Sequence, residues 1–143
     1  MWNRVKCLSS YNVAGCMWMS ERSKNLLDEM MRKRGYVYPS YRMLAEDDPD
    51  FLETYDKLYE LAMIRTRIFP EKIKELFYVA AIAARNPGDN SALKNHMRRA
   101  LEKGATKEEI LETLKCAFFP GGALSLLYSI NTLMDVLREM EGK

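Results

Sequence analysis

The chain carries a single histidine, His96, and upstream of it a glutamate, Glu75, opens a strongly apolar stretch. An imidazole gains and loses its proton near neutral pH, so it can serve as general acid or base. A neighbouring carboxylate can hold the ring in orientation or shuttle the proton. These two residue types can therefore carry acid–base chemistry, provided the fold brings them within about 8 Å, where one water or substrate could bridge them. Arg85 and Arg98 are candidates to pair with substrate carboxylates through bidentate hydrogen bonds. Tyr78, on the helical stripe of Glu75, completes the candidate substrate-binding set. Each residue also has a plainer reading. A histidine beside an apolar helix face is often a hydrogen-bonded structural group, and a first-turn glutamate is favoured by the helix dipole.

Three helices must position these residues. Apolar residues run almost unbroken from Leu76 to Ala84, flanked by charge, which predicts a buried helix with Pro70 in its first turn. A 3.6-residue period places Glu75, Tyr78, Val79, Ile82 and Asn86 on one stripe and Ile73, Phe77, Ala80 and Ala84 on another. The turn formers Asn86-Pro87-Gly88-Asp89-Asn90 reverse the chain, and Asp89, Asn90 or Ser91 can cap the second helix. That helix, about Ser91 to Lys103, turns Leu93, Met97, Ala100 and Leu101 inward, with His96 bordering the same face. Gly104 stops it, and Thr106-Lys107-Glu108-Glu109 reads as a capping box. A third helix carries Ile110, Leu111, Leu114, Cys116, Ala117 and Phe118 up to a break at Pro120-Gly121-Gly122. A final helix is expected from about Ala123 to Arg138.

From Glu75 to Ile110 the pattern of Glu-Leu, an apolar run, then His-Met-Arg-Arg-Ala-Leu-Glu-Lys-Gly-Ala-Thr-Lys-Glu-Glu-Ile resembles the carboxymuconolactone decarboxylase family, whose fold is shared with alkylhydroperoxidase D. The resemblance covers about half the chain, from Glu75 to the terminus, and Leu44 to Leu61 is compatible with the helical region that precedes it in the family. It implies an all-α bundle of about six or seven helices, with His96 and Glu75 as the catalytic pair. It also implies assembly as trimers or hexamers with pockets close to subunit contacts. Redox members carry Cys-x-x-Cys-x-x-x-His, but those cysteine positions hold Asp89 and Ala92 here, so the resemblance is to the branch lacking the thiol pair. Two departures from the decarboxylases stand out. Ser91 and Ala92 occupy the turn in which those enzymes place a glutamate, and the connection from Glu75 to His96 is two residues longer.

The remaining chain sets the frame. A length of 143 residues suits a single domain with a real core, expected over 19–143. Residues 1–18 show no helical period and no apolar core long enough for a secretory signal, and read as an N-terminal extension that need not belong to the natural chain. The net charge of +2 comes from interspersed charges, which gives no broad nucleic-acid footprint. Cys7 and Cys16 are separated by eight residues with no further ligand nearby, so no metal is expected. Three cysteines in all suit a reducing cytoplasm. No transmembrane span is expected, on the reading that charged residues interrupt every apolar run well before about twenty residues.

Between Ser20 and Arg34, Leu26, Leu27, Met30 and Met31 form an amphipathic helix ended by Gly35. Tyr36 to Tyr41 is expected to be an extended aromatic connection, since Pro39 disfavours helix at Tyr38. Asp47 or Asp48 caps the next helix, with Pro49 in its first turn. There Phe51, Leu52, Tyr55, Leu58, Tyr59, Leu61 and Ala62 cover more than one face, as in a central helix or a subunit interface.

The resemblance points to cofactor-free decarboxylation of a small unsaturated lactone or related carboxylic acid, with neither metal nor nucleic acid. Two alternatives accompany it. Cys116 alone could reduce peroxide, although its apolar neighbours would suppress its thiolate. The scaffold could also serve as a non-catalytic oligomeric binding protein.

Overall fold

A computed structural model describes residues 19–65, 68–85 and 90–142. The extension with Cys7 and Cys16, and the reversal at 86–89, lie outside the described residues. Six α-helices and no strand are present among the described residues: α1 (Glu21–Arg34), α2 (Pro39–Asp47), α3 (Pro49–Tyr59), α4 (Glu71–Arg85), α5 (Asn90–Glu102) and α6 (Lys107–Glu141). The expected all-α fold is observed. A π-helical turn, Glu60–Ile64, follows α3 directly. Two compact units contain these elements, one up to Glu53 and one from Thr54 onward.

In the first unit, Ser20 caps α1 by accepting the Ser23 backbone N–H at 3.1 Å, and Gly35 ends the helix at φ 77°. Leu27, Met30, Tyr41, Ala45 and Leu52 form the core. Ser23 ties α1 to α2 by donating its hydroxyl to the Ala45 carbonyl at 2.6 Å. The expected aromatic connection is corrected here: only its first part is extended, and Tyr41 lies on α2. Tyr38 holds the extended backbone that a following proline demands, and Pro39 then starts the helix, where its missing N–H costs no hydrogen bond. Asp48 accepts the Phe51 N–H at 3.1 Å, as a cap for α3.

In the second unit, Leu76, Val79 and Ala83 of α4 pack with Leu93, Met97 and Ala100 of α5, and with Ile110, Leu114, Ala117, Leu133 and Val136 of α6. The capping box is complete: Thr106 accepts from the Glu109 N–H at 3.1 Å, and the Glu109 carboxylate accepts from the Thr106 N–H at 2.8 Å. The expected break at Pro120–Gly122 is a kink inside α6, with Gly122 at φ 79°, ψ 173°. Helical hydrogen bonding resumes beyond it, so residues on both sides reach one core.

Two expectations from apolar patterning are corrected. Cys116 is exposed and does not sit within the core. The region 116–134 carries no charged residue, and α6 is long and apolar enough, by length and composition, to cross a membrane. That run also contains the kink and sends Ala117 and Leu133 into the core with α4 and α5.

Candidate active site

The helical period of α4 places Glu71, Glu75 and Tyr78 along one side, and that of α5 does the same for His96, Arg99 and Lys103. Where the two helices pack, the acids of one meet the bases of the other. Glu75 is 1% exposed and His96 5% exposed, so both polar groups are out of water and depend on each other. His96 Nδ1 lies 2.7 Å from Glu75 Oε2, well inside the expected 8 Å. On the other carboxylate oxygen, Arg99 donates its Nε–H to Oε1 at 2.9 Å. Tyr78 stacks on the imidazole, with ring centroids 4.6 Å apart and planes 21° from parallel.

Burial by itself pushes the Glu75 carboxyl up, because the interior disfavours its anion. The hydrogen bonds from His96 and Arg99, together with their charge, outweigh burial and hold it below its ordinary value. Glu75 is therefore a carboxylate at neutral pH and can only accept. It follows that Nδ1 of His96 carries the hydrogen in their bond, and the neutral ring has its lone pair at Nε2. Such a ring can take a proton at Nε2 and return it, while Glu75 keeps the imidazole in place.

The two arginines proposed for substrate carboxylates sit elsewhere. Arg85 is exposed at the end of α4, and Tyr78, Ile82 and Arg85 fall on one helical side, about 10 Å from end to end. Arg98 is half-buried and turns to Glu139 at 2.7 Å, with a longer bond to Asn95 at 3.4 Å. The arginine that reaches Glu75 is Arg99, which sequence reasoning missed. Its signal was present in the spacing, since Arg99 follows His96 by three residues and so shares its side of α5. Glu71 and Lys103 extend the array, paired at 2.5 Å, and the Glu71 carboxylate also lies 3.9 Å from Arg99.

A model of the carboxymuconolactone decarboxylase family matches residues 49–131, more than half the chain and inclusive of every residue of this array. This chain belongs to that family. An uncharacterized protein of Methanocaldococcus jannaschii is 26% identical over 94 residues, covering 66% of this chain and 85% of the relative. Two crystal structures share the fold. One is of a Burkholderia xenovorans LB400 protein named for carboxymuconolactone decarboxylase: TM-score 0.69, 19% identity, and coverage of 84% of this chain and 97% of that one. The other is the apo form of a carboxymuconolactone decarboxylase family protein from Legionella pneumophila. It gives a TM-score of 0.58 and 23% identity, and covers 83% and 97% of the respective chains. At these identities the two structures speak to the fold, and the chemistry has to be argued from the array itself.

Proposed function

We propose that this family member decarboxylates a small unsaturated lactone acid or related carboxylic acid, using His96 and Glu75 without an organic cofactor or metal. The observation that carries the reading is the buried contact of His96 Nδ1 with Glu75 Oε2 at 2.7 Å. Loss of carbon dioxide from such an acid leaves its bonding electrons delocalised as a dienolate, which requires a proton on carbon. The imidazolium delivers that proton from Nε2 and returns to the neutral ring, with Nδ1–H still bonded to Glu75. Tyr78 supports the ring from one face and offers an aromatic wall to an unsaturated substrate. Arg85 is the candidate for pairing with a substrate carboxylate, while Arg98 would have to release Glu139 to do so.

The acting form is proposed to be a homo-oligomer, a trimer or a hexamer, located in the cytoplasm. Phe77, Phe119, Leu124 and Leu127 are all more than half exposed, and a second copy of the chain is the occupant that covers them. The test of function is turnover of carboxymuconolactone by the wild type and its loss in His96→Ala. No turnover of any unsaturated lactone acid would overturn the reading.

One observation favours a second reading, a binding protein that has kept the scaffold without the chemistry. Tyr78 covers one face of a ring that is only 5% exposed. If Tyr78→Ala admitted a small carboxylate to the site and still produced no turnover, that reading would replace the first.

A further inference from the structure

The first unit contains a groove in which no residue of the acid–base array takes part. Its volume is about 330 Å³, at the lower end of the range for small-molecule sites. Lys24, Leu27, Asp28 and Met31 line it from one side of α1 at helical spacing, while Val37 lines it from the stretch before α2 and Arg42 from α2 itself. Its floor is fixed, because Leu27 is a core residue of this unit and Val37 packs against that core. Above the floor stand exposed charges of both signs. Lys24 has a carboxylate within reach, Glu21 at 3.8 Å. Asp28 and Arg42 have no ion-pair partner among the described residues, so an acid and a guanidinium line one groove without closing on each other.

We propose that this groove binds a small zwitterion with an apolar body, of the kind an apolar α-amino acid presents. Arg42 pairs with the carboxylate, to which a guanidinium offers two parallel N–H donors. Asp28 accepts from the ammonium group. The apolar body of the ligand lies on Leu27 and Val37, and Met31, 46% exposed, adapts its unbranched side chain to it. A plain carboxylate would meet Asp28 as a like charge, and a plain amine would meet Arg42 as one. Each of those ligands satisfies one group of the groove and opposes the other, which is how the site selects the zwitterion. The inference is independent of the reaction proposed at His96.

Calorimetric titration of the full chain at neutral pH tests this with L-phenylalanine and three analogues. L-phenylalanine should bind saturably at millimolar concentration or below. 3-Phenylpropionate lacks the ammonium group, 2-phenylethylamine lacks the carboxylate and L-alanine lacks the larger apolar body. Each should bind at least about fivefold more weakly. Arg42→Gln and Asp28→Asn should each weaken the binding of L-phenylalanine by about the same factor. Both side chains are exposed, so the variants keep the fold. Absence of saturable binding by L-phenylalanine would overturn the proposal, as would undiminished affinity in either variant. Binding of 3-phenylpropionate as tightly as L-phenylalanine would overturn it too, since the groove would then be a site for simple anions.

Discussion

Glu75 owes its ionised state to partners and not to solvent, and this makes its contribution to stability depend on pH in a defined direction. Its folded-state pKa lies below the ordinary value of 4.5. The stabilisation is therefore fully present above the unfolded-state value and is lost as the pH falls through the folded one. Denaturant titrations of the wild type and Glu75→Gln should differ by about 3 kcal/mol at neutral pH, as for a broken buried pair, and converge once the pH has fallen through the folded-state value of Glu75. A difference independent of pH would mean that Glu75 is not held as an anion. Exposed carboxylates such as Glu109 and Glu139 also titrate low through their lysine partners, but they are common to both proteins and cancel. At this scale the sequence was informative about residue type and less so about direction. His96 and Glu75 were legible as a pair, whereas the choice between Arg98 and Arg99 turned on which neighbour faces α4, and the apolar pattern of α5 alone left that open.

Elements with strong punctuation were read well. Gly35, Gly104 and the Thr106 box end or begin helices where expected, because each acts through local hydrogen bonds that need no distant partner. Helix α2 was missed because its nine residues are too short to show a sustained period and Pro39 reads as a sign of extended chain, although proline at the first helical position also marks a helix start. The π turn at Glu60–Ile64 has no comparable mark in the sequence. At Pro120–Gly122 the breakers predicted an interruption but not that both arms would join one core. There the backbone of Gly122, at φ 79° and ψ 173°, lies in a region essentially confined to glycine. At Gly121 an added Cβ would come within 2.9 Å of the Ala84 backbone, so α4 and α6 approach closely at this point. Gly122→Ala should lower unfolding stability by about 1–3 kcal/mol, read from the chemical denaturation midpoint. A variant as stable as the wild type would show that the kink is not enforced by this residue.

For the whole molecule, the apolar residues that patterning assigned to burial divide into two sets. Leu76, Val79, Leu114 and Val136 fill the core of the chain itself, but Phe51, Leu58, Phe77, Phe119 and Leu124 stay largely in water. A chain of this length leaves much of its surface exposed, and so large an apolar remainder is proposed to meet other copies of the chain. Light scattering at micromolar concentration should return three or six times the 16.6 kDa chain mass, and a monomer mass would refute the assembly. The chemistry is tested most directly by running carboxymuconolactone decarboxylation in deuterium oxide with the wild type and with His96→Ala. Proton delivery by His96 predicts release of carbon dioxide by the wild type, with one solvent deuterium placed on the product carbon, and loss of at least a hundredfold in rate without the imidazole. Equal rates for the two proteins would contradict it.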